Sequence, residues 1–415
     1  MGKKIIILVL LTLYLYHLNF GIFLNYIFRI PTPLLFGIPL ILFFKEQGTR
    51  FTYIKQLVWF LLASFLFNYV GNGDPKEFFV DSIIITICAL FFNFFIGTNQ
   101  KRLTTSIIIF YALLFISTCV MFLNHIYRGP VDILRARLIG SEIGQSPSGI
   151  TSVIFSFGYQ LATLATFLFI YVFARNKSLF LKGLVLAFCL AAIYFGLQRS
   201  VLAAFLFASV IFFVAYYKAK SLPIMFFIGL IGIGFSSYFM QETGNYDNIF
   251  AKNERKGEEN RSDLTVENLK IYTDYPYGLI FYGKNWSDVS RDNSVFRGGL
   301  TSHNAYLMFL TYLGPFLGIF LLVMIYYKHF GIFKNALLKI RDPDNVLMVC
   351  LCFSFLAVSL NSLFHNAWLV GANSQAVFLY FAILSLNSIN KKAEIEEAEM
   401  SAEKITYKEP IKIYK

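Results

Sequence analysis

Charge is what this sequence has least of. Only 14% of its 415 residues are Asp, Glu, Lys or Arg, against 57% hydrophobic, and the mean hydropathy is +0.61. A soluble domain carries about 25% charged residues, so soluble globular classes are excluded and most of the chain must be solvated by lipid. Cysteine is scarce too: Cys88, Cys119, Cys189, Cys350 and Cys352 all fall inside apolar runs. Cys350 and Cys352, two apart, face different sides of a helix, which argues against a disulfide framework or a thiolate metal site. No strand precedes Gly278, Gly283, Gly298 or Gly299, so these glycines mark turns and close backbone approach, not a phosphate loop. Internal repeats with matching broken helices are missing as well, which counts against a transporter or flippase.

What is present is a series of apolar runs separated by short basic clusters. The net charge is +12 and the pI about 9.3. Because the cations sit between apolar runs, they act as the orientation signal of a membrane protein, and no nucleic acid is expected as a partner. Twelve runs qualify as spans: 5–20, 34–44, 57–71, 78–97, 104–124, 150–174, 179–197, 200–217, 222–240, 304–326, 345–364 and 374–389. The expected fold class is therefore all-α, a polytopic membrane protein of about 12 transmembrane helices. Lys3 and Lys4 before Ile5 resemble the start of a signal peptide, yet no small-x-small cleavage site follows, which implies an uncleaved first span.

With the N-terminus inside, the short cytoplasmic connections hold Lys45, Arg50, Lys55, Lys101, Arg102, Arg175, Lys177, Lys182, Lys218, Lys220, Lys328, Lys334, Lys339 and Arg341. Both termini are then cytoplasmic. The chain divides into nine spans in 1–240 with an external loop at 125–149, a large external loop at 241–303, three spans in 304–390 and a tail at 391–415. The tail is mixed in charge and is expected to be solvated or disordered.

Positive charge on the external side needs its own reason. The loop 125–149 carries Arg128, Arg135 and Arg137; the loop 241–303 carries Arg255, Arg261, Arg291 and Arg297. Loops of this length can translocate whatever their charge, but collectively these arginines suggest an anion bound outside. Arg199 lies between two apolar runs with almost no loop, which sets its guanidinium at the edge of the hydrocarbon, where an unpaired charge costs several kcal/mol. It either snorkels to the headgroups or meets a polyanion. Ser200 offers an N-cap hydroxyl, and an arginine fork beside a helix N-terminus suits a diphosphate. His303 is expected in the first turn of an external helix end, where the dipole disfavours the imidazolium and leaves an imidazole able to take a proton; the alternative is a polar lip residue. Between them, 241–263 should be irregular, followed by a short amphipathic helix starting near Ser262 or Asp263 and halted at Tyr275-Pro276.

These residues carry a family resemblance. The segment Arg261 through Asn268-Leu269-Lys270-Ile271-Tyr272 to Tyr275-Pro276-Tyr277-Gly278, then Ser302-His303-Asn304-Ala305-Tyr306-Leu307 and Gly314-Pro315-Phe316-Leu317-Gly318, resembles the signature of the O-antigen ligase and O-antigen polymerase superfamily. Gln198-Arg199-Ser200 is similar to its third motif. The likeness covers about 180–320. It implies a fold similar to the GT-C-type membrane glycosyltransferases, no metal and no other cofactor, and a glycan donor on a polyprenyl (undecaprenyl) diphosphate carrier. Arg199, Arg261 and His303 match the ligases' functional arginines and histidine. Substrate contacts are expected from Arg128, Arg135, Arg137, Arg291, Arg297, Asn304 and Tyr306. Tyr272, Tyr275, Tyr277, Tyr282 and Trp286 are further candidates for stacking on sugars.

The chemistry agrees with the resemblance. Transfer from a lipid diphosphate needs leaving-group stabilisation and a base for the acceptor hydroxyl. Carboxylates that could hold a metal near the outer face are few, Asp81 foremost, so arginine would take that role. The expected function is an O-antigen polymerase in the bacterial inner membrane, joining a lipid-linked repeat to a lipid-linked acceptor, with the bilayer and a chain-length regulator protein as further partners. The loop 125–149, able to grip a second anionic chain, and the bias toward Phe, Ile and Tyr favour polymerase over ligase. A ligase acting on lipid A core, a flippase and a structural scaffold are the alternatives.

Overall fold

In hydrocarbon every backbone N–H and C=O must be paired within its own segment, and a helix does this. The computed structural model describes residues 2–18, 32–46, 50–71, 73–126, 154–175, 178–196, 199–223, 229, 261–299, 301–364 and 374–406, and among these every regular element is helical. In order they are α1 (Gly2–Leu18), α2 (Thr32–Phe43), α3 (Ile54–Gly71), α4 (Pro75–Ile96), α5 (Gln100–Ile126), α6 (Ile154–Arg175), α7 (Leu179–Phe195), α8 (Arg199–Tyr217), the polar α9 (Arg261–Asp274), the short α10 (Trp286–Ser290), α11 (Ala305–Leu338), α12 (Val346–Asn361) and α13 (Ser374–Thr406). Six segments among the described residues are long and apolar enough to cross a membrane: Ile54–Gly71, Pro75–Ile96, Gln100–Cys119, Arg199–Pro223, Ala305–Leu338 and Pro343–Asn361. Every apolar run except 222–240, most of which lies outside the described residues, falls on one of these helices.

Aromatic rings fill the interior. Phe378 of α13 stacks on Phe110 with centroids 4.0 Å apart and leans on Phe92 at 5.2 Å, while Phe353 of α12 meets Phe212 edge-on at 5.8 Å. Offset and edge-on pairs of this kind add about 0.5–1.5 kcal/mol each beyond area burial. α12 is the central helix, packed by α6, α8, α11 and α13.

The basic clusters gather at one end, where they also close helix carbonyls. Arg102 donates to Phe44 O (2.8 Å) and Phe95 O (2.6 Å), and Arg341 donates to Tyr216 O (2.8 and 2.6 Å). These are C-terminal carbonyls of α2, α4 and α8, left without partners by the helix geometry and favoured by a cation. Lys3 sits over the Phe44 ring, so the start of α1 is at this end. At the other end of α1, Leu18 O accepts from Gln375 Nε2 (3.1 Å), so α13 runs antiparallel to α1 and finishes at the basic end, where Lys339 bonds Glu394 (3.0 Å). The opposite end, here the upper end, carries the segment 261–304. From this arrangement, reporter fusions after residue 2 and at residue 400 should report one side of the membrane and an insertion near residue 270 the other; a residue-270 reporter on the side of the termini would contradict it.

Two expectations are refined. Of the two readings of the tail, solvated or disordered, the first holds for the described part: α13 continues without a break to Thr406, its residues 391–400 exposed, with Lys392 and Glu396 paired one turn apart. Its Ala, Glu and Lys are strong helix formers, and extending an existing helix avoids the nucleation penalty. Residues 407–415 lie outside the described residues. The run 304–326 is also not one straight crossing. Gly314 has φ 73 and ψ 174 inside α11, and the hydroxyls of Tyr306 and Tyr326 lie 2.9 Å apart. Twenty residues of straight helix would separate them by ~30 Å, so 305–313 folds back against 315–338 at an acute angle. The straight part long enough to cross is 315–338.

Candidate functional site

The site is built where three pieces of chain meet at the upper end: α9, the turn Thr301–Asn304, and the folded-back half-helix 305–313. α9 starts at Arg261 and stops at Asp274, before Tyr275-Pro276 as the sequence suggests. Leu264, Asn268 and Ile271, spaced four and three apart, are its buried face, and it packs on α11. After it, Gly278 takes φ +99 and lies directly against Gly314; a Cβ on Gly278 would stand 2.2 Å from Gly314 N. Trp286 is then buried against Phe296 (4.8 Å) and Tyr312 (6.2 Å), and Tyr312 packs on Phe67 and over Gly71 at the upper end of α3. Trp286 is thus packing for this segment, while Tyr277 and Tyr282 are exposed, their rings 6.5 Å apart and stacked. Tyr282 also meets Tyr275 edge-on at 5.2 Å.

Asn268 is the centre of the polar contacts. Fully buried, it donates from Nδ2 to Ser302 Oγ (2.8 Å) and Met308 Sδ (3.1 Å), and its Oδ1 accepts from Thr311 Oγ1 (2.7 Å). Ser302 and Thr311 are buried as well. An unmade bond among such groups costs about 1–3 kcal/mol, so the knot fixes α9 to both sides of the turn. Glu267, on the exposed side, joins Lys270 and accepts from Asn293 Nδ2 (3.2 Å), and these hydrogen bonds hold its carboxyl below the usual carboxylate range.

His303 is half-buried and has φ 52, one of two non-glycine residues with positive φ among those described. It is not in the first turn of α11 as expected. Asn304 is the N-cap, its Oδ1 accepting from Leu307 N (3.0 Å), and His303 precedes it by one residue. Asn304 caps the helix because its short amide closes an orphan N–H at the start of α11. Ala305 N gives its bond to Ser362 O (2.9 Å) and Met308 N to Asn304 O (2.9 Å). With those N–H groups occupied, this helix start offers an anion its dipole more than its donors. Tyr306 gives its proton to Ser359 O (2.9 Å), so its oxygen accepts from Tyr326, and that pair clamps the fold-back.

The remaining candidates are distributed as follows. Arg261 opens α9, about two turns from Asn268, though its side chain and that of Arg297 lie outside the described residues. Arg291 is exposed just after α10. Arg128, Arg135 and Arg137, and the loop 241–260 with Arg255, lie outside the described residues. Arg199 is the first residue of α8 and is exposed, not enclosed by protein, and Ser200 falls inside the first turn, where it is not the cap. α8 packs along α12, whose end holds Ala305 through Ser362, so Arg199 and His303 share the upper end of the bundle. Asp81 is buried in α4 and accepts from Asn68 Nδ2 (3.0 Å). Among the described residues no three His, Cys, Asp or Glu side chains gather as a metal site would require. The sequence pointed at the Asn268 motif without giving it a role; the signal was an amide on the apolar face of an amphipathic helix.

Neither the family models nor the curated proteins compared with this sequence give a match. If Arg199 holds a diphosphate by its fork, Arg199→Lys and Arg199→Ala should both lose more than about tenfold in turnover at unchanged yield, since a lysine presents one point charge where arginine presents two parallel donors. A lysine variant of full activity would leave only a charge requirement.

Proposed function

We propose that this chain is a GT-C-like membrane glycosyltransferase of about 12 spans, an O-antigen polymerase of the bacterial inner membrane, with both termini cytoplasmic. Its donor and acceptor are glycan repeats on undecaprenyl diphosphate. The observation that carries the reading is the braced turn: a strained histidine held by a buried hydrogen-bond knot under a surface helix that begins with arginine. Backbone strain in a non-glycine residue persists where the surroundings over-determine it, and such places are enriched in functional sites.

In the reaction, an acceptor hydroxyl attacks the anomeric carbon of the donor sugar while its proton passes to the His303 imidazole. The bond from that carbon to the diphosphate oxygen breaks, and the electron pair leaves with the lipid diphosphate. Arg199 and Arg261 stabilise the charge that grows on the leaving group. Arg291 and Arg297 of the same segment are the further donor contacts in this reading, and Tyr277 and Tyr282 offer exposed rings on which sugars can stack.

The test is purified protein in a lipid nanodisc, supplied with undecaprenyl-diphosphate-linked oligosaccharide and excess EDTA. The expected product is a ladder of longer lipid-linked glycans, undiminished by chelation. Loss of extension on chelation with recovery on adding magnesium would show that a metal, not arginine, stabilises the leaving group. Transfer only when core lipid is added would mark a ligase, and translocation without extension a flippase.

A further inference from the structure

We propose that Asn268 is a positioning residue which sets the direction of the His303 imidazole through Ser302 and the start of α11. The proposal rests on the reading of His303 as the base. All three side-chain bonds of Asn268 go to the stretch on either side of His303: Ser302 immediately before it, Met308 and Thr311 one and two turns after. Between these anchors the His303 backbone is held at φ 52, a conformation that costs an L-residue about 1–2 kcal/mol and relaxes to the ordinary regions when nothing opposes it. Such a relaxation rotates the Cα–Cβ bond and carries the ring away from where it points now.

Packing alone does not call for an amide here. Leu264 and Ile271 already supply the apolar face of α9, and replacing a buried polar group and its partners by apolar ones of like shape is close to neutral for stability. What an apolar residue lacks is direction. Asn268 donates to Ser302 on one side of the turn, and on the other donates to Met308 and accepts from Thr311, so both ends of the strained stretch are fixed relative to the helix that opens with Arg261. The His303 backbone is thereby tied to the buried face of α9.

The experiment uses the full-length protein in nanodiscs with two variants. Asn268→Leu removes every bond, and Asn268→Asp keeps an acceptor for Thr311 while removing the donors to Ser302 and Met308. Each is also made in a His303→Gln background. For both, amide hydrogen exchange within 301–308 is expected to quicken while 346–361 stays protected. Turnover should fall about 10–100-fold in the His303 background, with donor KM within about twofold, because a misplaced reacting group lowers kcat. In the His303→Gln background neither variant should lower turnover further. Equal fold losses in both backgrounds, or unchanged exchange at 301–308, overturn the proposal. If the wild type extends no glycan, the enzymatic reading fails instead, and the exchange measurement alone still decides whether Asn268 holds the turn.

Discussion

Gly314→Ala should leave almost no folded protein. A Cβ at that position would stand 1.9 Å from Tyr277 O and 2.4 Å from Tyr277 C, and the backbone there, φ 73 with ψ 174, belongs to a region that only glycine occupies without strain. The atoms in the way are main chain, so no rotamer change relieves them. Gly278→Ala meets the same wall from the other side, at Gly314 N and Leu313 C. Gly283→Ala is the matched control: it shares a left-handed φ of 62 but has open space around it, and should cost only about 1 kcal/mol. Gly331→Ala, helical and unobstructed, should be neutral or stabilising by up to about 1 kcal/mol. Yield of monodisperse protein and the midpoint of thermal unfolding in one detergent rank the four. A Gly314→Ala protein that unfolds at the wild-type temperature would mean that the fold-back is not the native geometry.

The reversal at Gly314 is not legible in the local sequence. The apolar run 304–326 that contains Gly314-Pro315 reads as one span, because the reason for a full reversal lies at Gly278, far back in the chain, which must pass backbone to backbone. Non-local contact of this kind leaves no periodic trace. Local rules did better on α9, whose end follows from the residue before Pro276 and whose start fell within two residues of expectation. The start of α11 is ambiguous in the sequence because Ser302, His303 and Asn304 offer competing caps, and only the bond from Leu307 N decides for Asn304 and leaves His303 outside the helix. The tail's mixed charge implies only that it is solvated; its helix propensity and its attachment to α13 decide that it is also ordered to Thr406. For Arg199 the shortness of the loop fixes its depth in the chain's pattern but not whether protein encloses it.

Replacing His303 separates its chemistry from its strain. His303→Ala and His303→Gln should each lower chain extension by ~10²–10⁴-fold, the usual contribution of a positioned general base. An amide can hydrogen-bond the acceptor hydroxyl but cannot take its proton at neutral pH, so the glutamine variant should do no better than alanine. Donor affinity should change little in either, since the diphosphate is assigned to Arg199 and Arg261. His303→Gly adds a stability axis. At φ 52 glycine relieves about 1–2 kcal/mol of backbone strain and loses about 0.5–1 kcal/mol through the greater freedom of the unfolded chain, so the unfolding midpoint should stay within a few degrees of the wild type. The glycine protein is then expected to be as stable as its parent, to bind donor, and to be as inactive as the alanine variant. A loss of turnover in all three with folding intact assigns the proton to the imidazole. Normal extension by His303→Gln would instead make the residue a polar lip at the mouth of the bundle, and the base would have to be sought elsewhere along the upper end.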